Sequence, residues 1–342
     1  MLSIDEMVGA SRAEVKAVHE LPPPPAGKTG WPWDTAVRCL PPKMRNGEAW
    51  PKISIVTPAY KQGNFLEETM RSVLLQGYPN LEYIVIDDGS PDNTAEIIRK
   101  YESHLAYWTT QKNSGQPTAI NNGFAHATGE IMGWLNSDDL LLPRALERIA
   151  QAHCDPRVKV TCGFRKVIDA DSRVTELQIH PWPAPYDLMR TCFVAQETVF
   201  WKREVWKKTG PLGNWRYALD FDYWHRVITN GYKFTLLPYF LGALRMHPEC
   251  KTSRMRDVCA EEAAEIFERF LGRRLTLDEA WSQSTLHTQY RMFRKLPRSA
   301  LHSRLTAVPV LKAVSAMAHW LRHWRQHPPP MTAASGSEQK SS

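Results

Sequence analysis

From Lys52 onward, short apolar runs alternate with segments whose apolar positions recur every three or four residues. Ile53-Ser-Ile-Val-Thr57 is a β-type run that Pro58 stops, and Phe65 to Gln76 follows with helical spacing through Leu66, Met70, Val73 and Leu74. Leu81-Glu-Tyr-Ile-Val-Ile86 predicts a second buried strand, after which Ser90-Pro91 opens a helix with Ser as cap and Pro in the first turn. Leu105 to Thr109 predicts a third strand, Thr118 to Ala127 a helix ended by Gly129, and Glu130 to Leu135 a fourth strand. Pro143 to Ala152 is helical and Val158 to Phe164 is again a strand. Strands that are apolar throughout, alternating with helices, predict an α/β fold: a mainly parallel open sheet covered by helices on both faces.

The flanks differ. Residues 1–50 lack periodicity and include Pro22 to Pro25, which predicts an extended Pro-rich arm. The α/β unit is expected over 51–255. A basic helical extension follows over 256–327, with one helix at Arg256 to Leu271 and two helical pieces over 299–326 broken at Pro309. Residues 328–342 have the composition of a disordered tail. Leu236 to Leu244 is too short to span a bilayer, and Pro309 to Leu321 contains Lys312 and His319. Met1 to Glu20 has acids and no apolar stretch, unlike a secretory signal.

Charge changes this picture most. Lys plus Arg is 43 against 36 Asp plus Glu, a net of +7, yet eight Lys/Arg and no acid fall between Ala280 and Ser337. That segment carries +8, so the remainder is about neutral and the basicity belongs to the C-terminal part. Together with the stripe Val310, Val314, Met317, Leu321 and Trp324, it suggests an anionic membrane surface as a contact, or a helix docked on the body with its charges solvated. Without a helix-turn-helix, zinc or RNA-binding signature, nucleic acid is not expected as a partner. The six Cys form no CxxC pair, which suits a reducing, cytoplasmic setting without a zinc site.

Two acidic clusters follow predicted strands directly: Asp87-Asp88-Gly89-Ser90 and Asn136-Ser137-Asp138-Asp139. Ligands of open α/β sheets bind outside the carboxyl ends of the strands, so both clusters are expected on one crevice. Neighbouring carboxylates repel unless a cation or donors lie between them, and hard oxygen ligands suit Mg²⁺ or Mn²⁺. The ordinary structural role of such acids is to cap helices or turn the chain, and two clusters at strand ends make that role less sufficient. A third set, Asp220-Phe221-Asp222, supplies a carboxylate that could deprotonate a hydroxyl nucleophile, although Asp222 also suits a helix N-terminus.

Taken together, Ile53 to Tyr60, Asp87 to Thr94, Gly115 to Phe124, Ala127 to Glu130, Trp134 to Asp139 and Asp220 to Asp222 resemble glycosyltransferase family 2, an inverting nucleotide-sugar family with the Rossmann-like GT-A fold. The branch most resembled contains bacterial O-antigen and surface-polysaccharide transferases, and Gly27 to Trp33 resembles an arm found ahead of the domain in some members. The resemblance implies that Thr57, Pro58 and Tyr60 line the base pocket and that Asp88 or Asp87 bonds the base. It puts Asn113 and Gln116 in the loop near nucleotide or sugar, and Asn136, Asp138 and Asp139 at the DxD position, with Asp138 and Asp139 as metal ligands. Asp220 matches the general base, and Arg245 and His247 sit near the diphosphate. The implied partners are a nucleotide-diphosphate sugar and a saccharide or lipid-linked acceptor; the basic segment suggests a cytoplasmic protein that could attach peripherally at the inner face of the plasma membrane.

Two departures stand out. Asn136 replaces the first acid of DxD, and Leu219 replaces the acid that often precedes the base, which leaves Asp222 as an alternative base. They also keep open a silent domain that acts as a binding or assembly subunit. No QxxRW motif follows, which disfavours a processive synthase. Ala26-Gly27-Lys28-Thr29 lacks the opening Gly of a phosphate loop, since Pro22 stands there.

Overall fold

A computed structural model describes residues 21–35, 40–44, 46–180 and 184–285. The expected helices over 299–326, the tail 328–342 and the whole +8 segment beyond residue 285 lie outside the described residues, as do residues 1–20 of the arm. Nine strands form one sheet: β1 Ile53–Ala59, β2 Leu81–Asp87, β3 Tyr107–Thr110, β4 Ile131–Trp134, β5 Leu140–Leu141, β6 Val160–Ile168, β7 Val174–Gln178, β8 Phe200–Lys202 and β9 Phe234–Arg245. Their order is β3-β2-β1-β4-β8-β6-β9-β5, with β7 beside β6. The block β3-β2-β1-β4 is parallel. Beyond it β8 runs antiparallel to β4 and β6, and β9 parallel to β6.

β1 is buried on both faces, as its near-continuous β-branched run requires. One face packs on the helices Leu66–Leu74 and Ala145–His153 through Ile53, Ile55, Leu66, Met70 and Ile149. The other packs on the helices Gln116–His126, Arg203–Thr209 and Leu219–Thr229 through Val56, Ile86, Ile120, Trp201 and Trp224. Pro58 does not end β1. It removes one ladder N–H, yet the pairing with β2 continues to Ala59 opposite Asp87.

Packing crosses the boundary expected at residue 255. Ala263, Ile266 and Phe267 of the helix Arg256–Leu271 pack on Ala218 and Phe221 at the start of helix Leu219–Thr229. Likewise, arm residues 21–35 lie on helix Leu66–Leu74, with Trp33 and Leu21 buried. Among the described residues no helix is long and apolar enough to cross a membrane.

Candidate active site

The crevice is built at the carboxyl ends of β2, β1 and β4. Asp87 is the last residue of β2, and Asp88 stands one step beyond it. Asp88 is buried, and its carboxylate accepts from Gln111 Nε2 at 2.8 Å, the Ser114 amide at 3.0 Å and the Gly115 amide at 2.9 Å. It therefore fastens the loop 111–115, where Asn113 is exposed, to the strand end. Gly89 makes this possible: its φ is +76°, and a Cβ there would stand 2.8 Å from the Gln111 carbonyl oxygen. Asp87 accepts from the Ser90 amide at 3.0 Å through Oδ1, while its buried Oδ2 has no partner among the described residues. Thus Asp88 is occupied in holding the loop, and Asp87 retains a free acceptor.

Thr57 and Pro58 lie within β1 rather than after it, both buried, and the Thr57 hydroxyl accepts from Tyr83 Oη at 3.0 Å. The expectation that these side chains line a pocket is corrected for Thr57, which is turned into the core. Tyr60 is 42% exposed, with the Lys61 ammonium 5.3 Å from its ring centre.

The acidic loop after β4 separates its two aspartates. Asp139 is buried; Oδ1 accepts from the Arg245 amide at 3.0 Å and Oδ2 from Asn136 Nδ2 at 3.2 Å. Burial first, then the charges of Asp138 and Glu197, raise its pKa well above the usual carboxylate range. Asp138 is half-buried, and its Oδ2 lies 3.1 Å from His247 Nε2. The His247 ring packs on Phe65 at 4.6 Å. Of the two expected metal ligands, only Asp138 keeps part of its surface open, paired with His247. Among the described residues no three His, Cys, Asp or Glu side chains gather around a point that would hold an ion. One carboxylate and one imidazole nonetheless suit a divalent ion that draws its other ligands from phosphate and water.

Arg245 corrects another expectation. Its side chain is fully buried and is not free to meet a diphosphate. Nε donates to the Asp138 carbonyl at 2.9 Å, Nη1 donates to Ser172 Oγ at 2.8 Å, and Nη2 lies 3.0 Å from Glu68 Oε2. This cation holds the acidic loop from behind.

The cation that does belong to the crevice is Lys251. Its Nζ donates to Gln116 Oε1 at 2.6 Å and to the Arg216 carbonyl at 2.8 Å. Gln116 Nε2 donates in turn to Asn136 Oδ1 at 2.8 Å, and Asn136 Nδ2 reaches Gln196 Oε1 at 3.1 Å. Burial lowers the Lys251 pKa, opposed by the charges of Glu262, Asp220 and Asp138.

Asp220 is the second residue of helix Leu219–Thr229. Oδ1 accepts from the Phe221 amide at 2.9 Å, and Oδ2 lies 3.8 Å from Cys192 Sγ. The side chain keeps part of its surface open, yet the enclosing walls desolvate it and raise its pKa. Asp222 is occupied: it is buried, 2.8 Å from Arg226 Nε and 3.4 Å from Arg269 Nη1. Glu262, from the helix Arg256–Leu271, accepts the amides of Arg216, Tyr217 and Ala218 at 2.8, 2.9 and 2.8 Å, which fixes the approach to Asp220.

Lys251, Gln196, Glu197 and Glu262 were not legible as site residues. Gln196 and Glu197 carry the clearest signal: a polar pair inside the apolar run Phe193 to Phe200. Glu197 is buried, burial raises its pKa, and Oε1 has no partner among the described residues.

Residues 54–205 match the family model described as Glycosyl transferase family 2. An uncharacterized glycosyltransferase of Rickettsia typhi is 28% identical over 200 residues, covering 54% of this chain and 61% of that protein. The putative teichuronic acid biosynthesis glycosyltransferase TuaG of Bacillus subtilis is 28% identical over 191 residues, covering 53% of this chain and 74% of its own. The chain spans 57–61% of the length of three such curated relatives. Among solved structures, S. aureus TarS 1–349 in complex with UDP-GlcNAc aligns with a TM-score of 0.54 at 18% identity, over 80% of this chain and 87% of that one. The mannosyltransferase PcManGT of Pyrobaculum calidifontis, in complex with GDP-Man and Mn²⁺, aligns with a TM-score of 0.52 at 19% identity, over 86% and 92%. Residues 54–205 thus belong to glycosyl transferase family 2, and the fold that carries them is GT-A.

Proposed function

We propose that this protein transfers a sugar from a nucleoside diphosphate sugar to a hydroxyl of a saccharide or lipid-linked acceptor, with inversion at the anomeric carbon, in the making of a surface polysaccharide. The observation that carries this reading is that Lys251 is bonded on one side to Gln116, itself bonded to Asn136 of the loop that carries Asp138, and on the other to the Arg216 carbonyl just ahead of Asp220, so the acidic loop and the candidate base share one crevice. TuaG, and the nucleotide sugars bound by the two aligned transferases, support the substrate class.

The chemistry divides among named residues. The open oxygen of Asp87 accepts from the nucleotide base, with Tyr60 and Asn113 at the rim of that pocket. Asp138 and His247, which face each other, would hold Mg²⁺ or Mn²⁺. When bound, such an ion neutralises the departing diphosphate as a Lewis acid, so no general acid is required. Lys251 and Gln116 orient the diphosphate from the opposite wall. Asp220 takes the proton of the acceptor hydroxyl as that oxygen attacks the anomeric carbon. Desolvation makes the carboxylate a better proton acceptor. A hydrolase would instead need two carboxyl groups flanking the bond.

A thermal-shift screen of UDP-, GDP- and dTDP-sugars with and without Mn²⁺ tests the reading. One nucleotide class is expected to raise Tm, and only with metal, because a ligand of the native state stabilises it by mass action. No metal-dependent shift with any of them would overturn it.

A further inference from the structure

The matched domain begins at residue 54, yet the loop that carries Asp138 and Asp139 is held in part by residues ahead of it. The helix Leu66–Leu74 has an unusual buried face, in which Glu68, Thr69, Arg71 and Ser72 are all nearly inaccessible. Thr69 Oγ1 lies 3.0 Å from the Ser137 carbonyl oxygen and 2.8 Å from that of Asp139. Ser72 Oγ accepts the Leu141 amide at 3.1 Å. The Leu141 carbonyl is taken by the arm, since Trp31 Nε1 donates to it at 2.9 Å. Leu141 lies in β5, two residues after Asp139, so its two backbone groups are gripped from opposite sides.

The arm is itself fastened by one buried guanidinium. Arg71 donates to three arm carbonyls: Pro22 at 2.7 Å, Trp33 at 2.9 Å and Pro32 at 3.1 Å. Its Nη1 also reaches Tyr101 Oη at 3.2 Å. Three charge-assisted bonds, two to the neighbouring carbonyls of Pro32 and Trp33 and one to Pro22 at the other end of the segment, hold it in one register. The buried Trp33 ring lies beneath the same guanidinium at 5.4 Å. Trp31 is therefore presented to Leu141 by a part of the chain that has no freedom to slide.

We propose that residues 21–35 form an internal brace for the metal-side loop, and that Trp31 is a positioning residue for Asp138, acting through Leu141. This rests on the proposed transferase reading only for its kinetic consequence. A loop that hangs between β4 and a two-residue strand has little pairing of its own. One lost bond at Leu141 lets Asp138 sample positions away from His247.

The test uses the full chain and Trp31→Phe, which keeps an aromatic ring and removes the N–H. Hydrogen exchange over residues 136–142 is expected to quicken in the variant while exchange in β1 and β2 stays unchanged. Calorimetry of UDP binding against Mn²⁺ concentration is expected to show a half-saturating Mn²⁺ concentration about 3–10-fold higher, the range for one net hydrogen bond. Exchange in the helix Leu219–Thr229, on the opposite face of the sheet, should not change, which a general loss of structure would not spare. Unchanged exchange over 136–142 overturns the brace, whatever the protein's reaction. Faster exchange there in Trp31→Phe, together with a wild-type protein that shows no Mn²⁺-dependent binding of UDP, GDP or dTDP, would sink the transferase reading and leave the brace standing. Arg71→Lys gives a second arm of the test: it should reproduce the faster exchange at 136–142, and protection equal to wild type would again overturn the brace.

Discussion

Asp220 and Asp138 differ from their neighbours in what they have left to offer. Asp222, Asp139 and Asp88 are each enclosed and already bonded, whereas Asp220 and Asp138 keep open surface. The expected base is accordingly Asp220, and Asp220→Asn should lower kcat by about 10²–10⁴-fold with little change in donor affinity. Because the acid must be ionised to accept a proton, kcat/KM should rise with pH through a pKa above the ordinary carboxylate range, and the substitution should remove that limb. The same shift affects stability. A carboxyl whose native pKa is raised binds its proton more tightly folded than unfolded, so its presence destabilises the fold increasingly as pH rises through that window. Asp220→Asn should therefore melt higher than wild type at pH 7, and the gap should close near pH 4. A variant that melts lower at pH 7 would mean that the carboxylate is stabilised in place. Sequence made these acids legible because they follow apolar runs that end at a crevice. It could not distinguish Asp138 from Asp139, or reveal Arg245 as buried, since that depends on Glu68, far away in the chain.

Elements were legible where one face or both faces of a local pattern were apolar. The helices at Leu66, Gln116 and Ala145 and the strands β1, β2 and β4 lie within a few residues of their expected bounds. β9 was visible only as an apolar stretch, and β5, β7, β8 and helix Leu219–Thr229 had no clear period, because partners distant in sequence define them. The close fit of the helix Gln116–His126 on the sheet is a second feature that only packing reveals. A Cβ on Gly123 would stand 2.4 Å from Val56 Cγ1 and 3.3 Å from Ile86 Cγ1. Alanine favours a helix over glycine by about 1 kcal/mol. Val56 is β-branched and stiff in a two-sided core, and overpacking costs about 1–3 kcal/mol. The clash should win, so Gly123→Ala should lower Tm by several degrees in a thermal melt. The helix begins at Gln116, so an outward shift should also weaken the Gln116–Asn136 bond and reduce kcat. An unchanged or raised Tm would mean that the helix stands farther from β1 than the packing requires.

At the scale of the whole molecule the uneven charge is the feature the described residues do not absorb. The crevice, the sheet and both helical layers belong to a part of the chain that is about neutral, while the +8 segment lies almost wholly beyond residue 285. Fixed charges act over roughly 8–10 Å at physiological salt, so a neutral body cannot draw itself to an anionic surface. Each Lys or Arg near such a surface contributes about 1 kcal/mol, and several together give reversible attachment. The body's crevice would then work where a lipid-linked acceptor is concentrated. Full-length protein should cosediment with phosphatidylglycerol-rich vesicles, fail to do so with neutral phosphatidylcholine vesicles, and be released at high salt. Replacing Arg291, Arg294, Lys295 and Arg298 with Gln removes half of the segment's charge and should weaken recovery steeply, since the contributions add in free energy. Such a variant should keep its activity on a soluble acceptor, because the bonds given above for the crevice residues are all made among residues 57–269. Equal, salt-independent recovery of both proteins in the supernatant would mean that the acceptor reaches the crevice by diffusion and that the basic segment has another use.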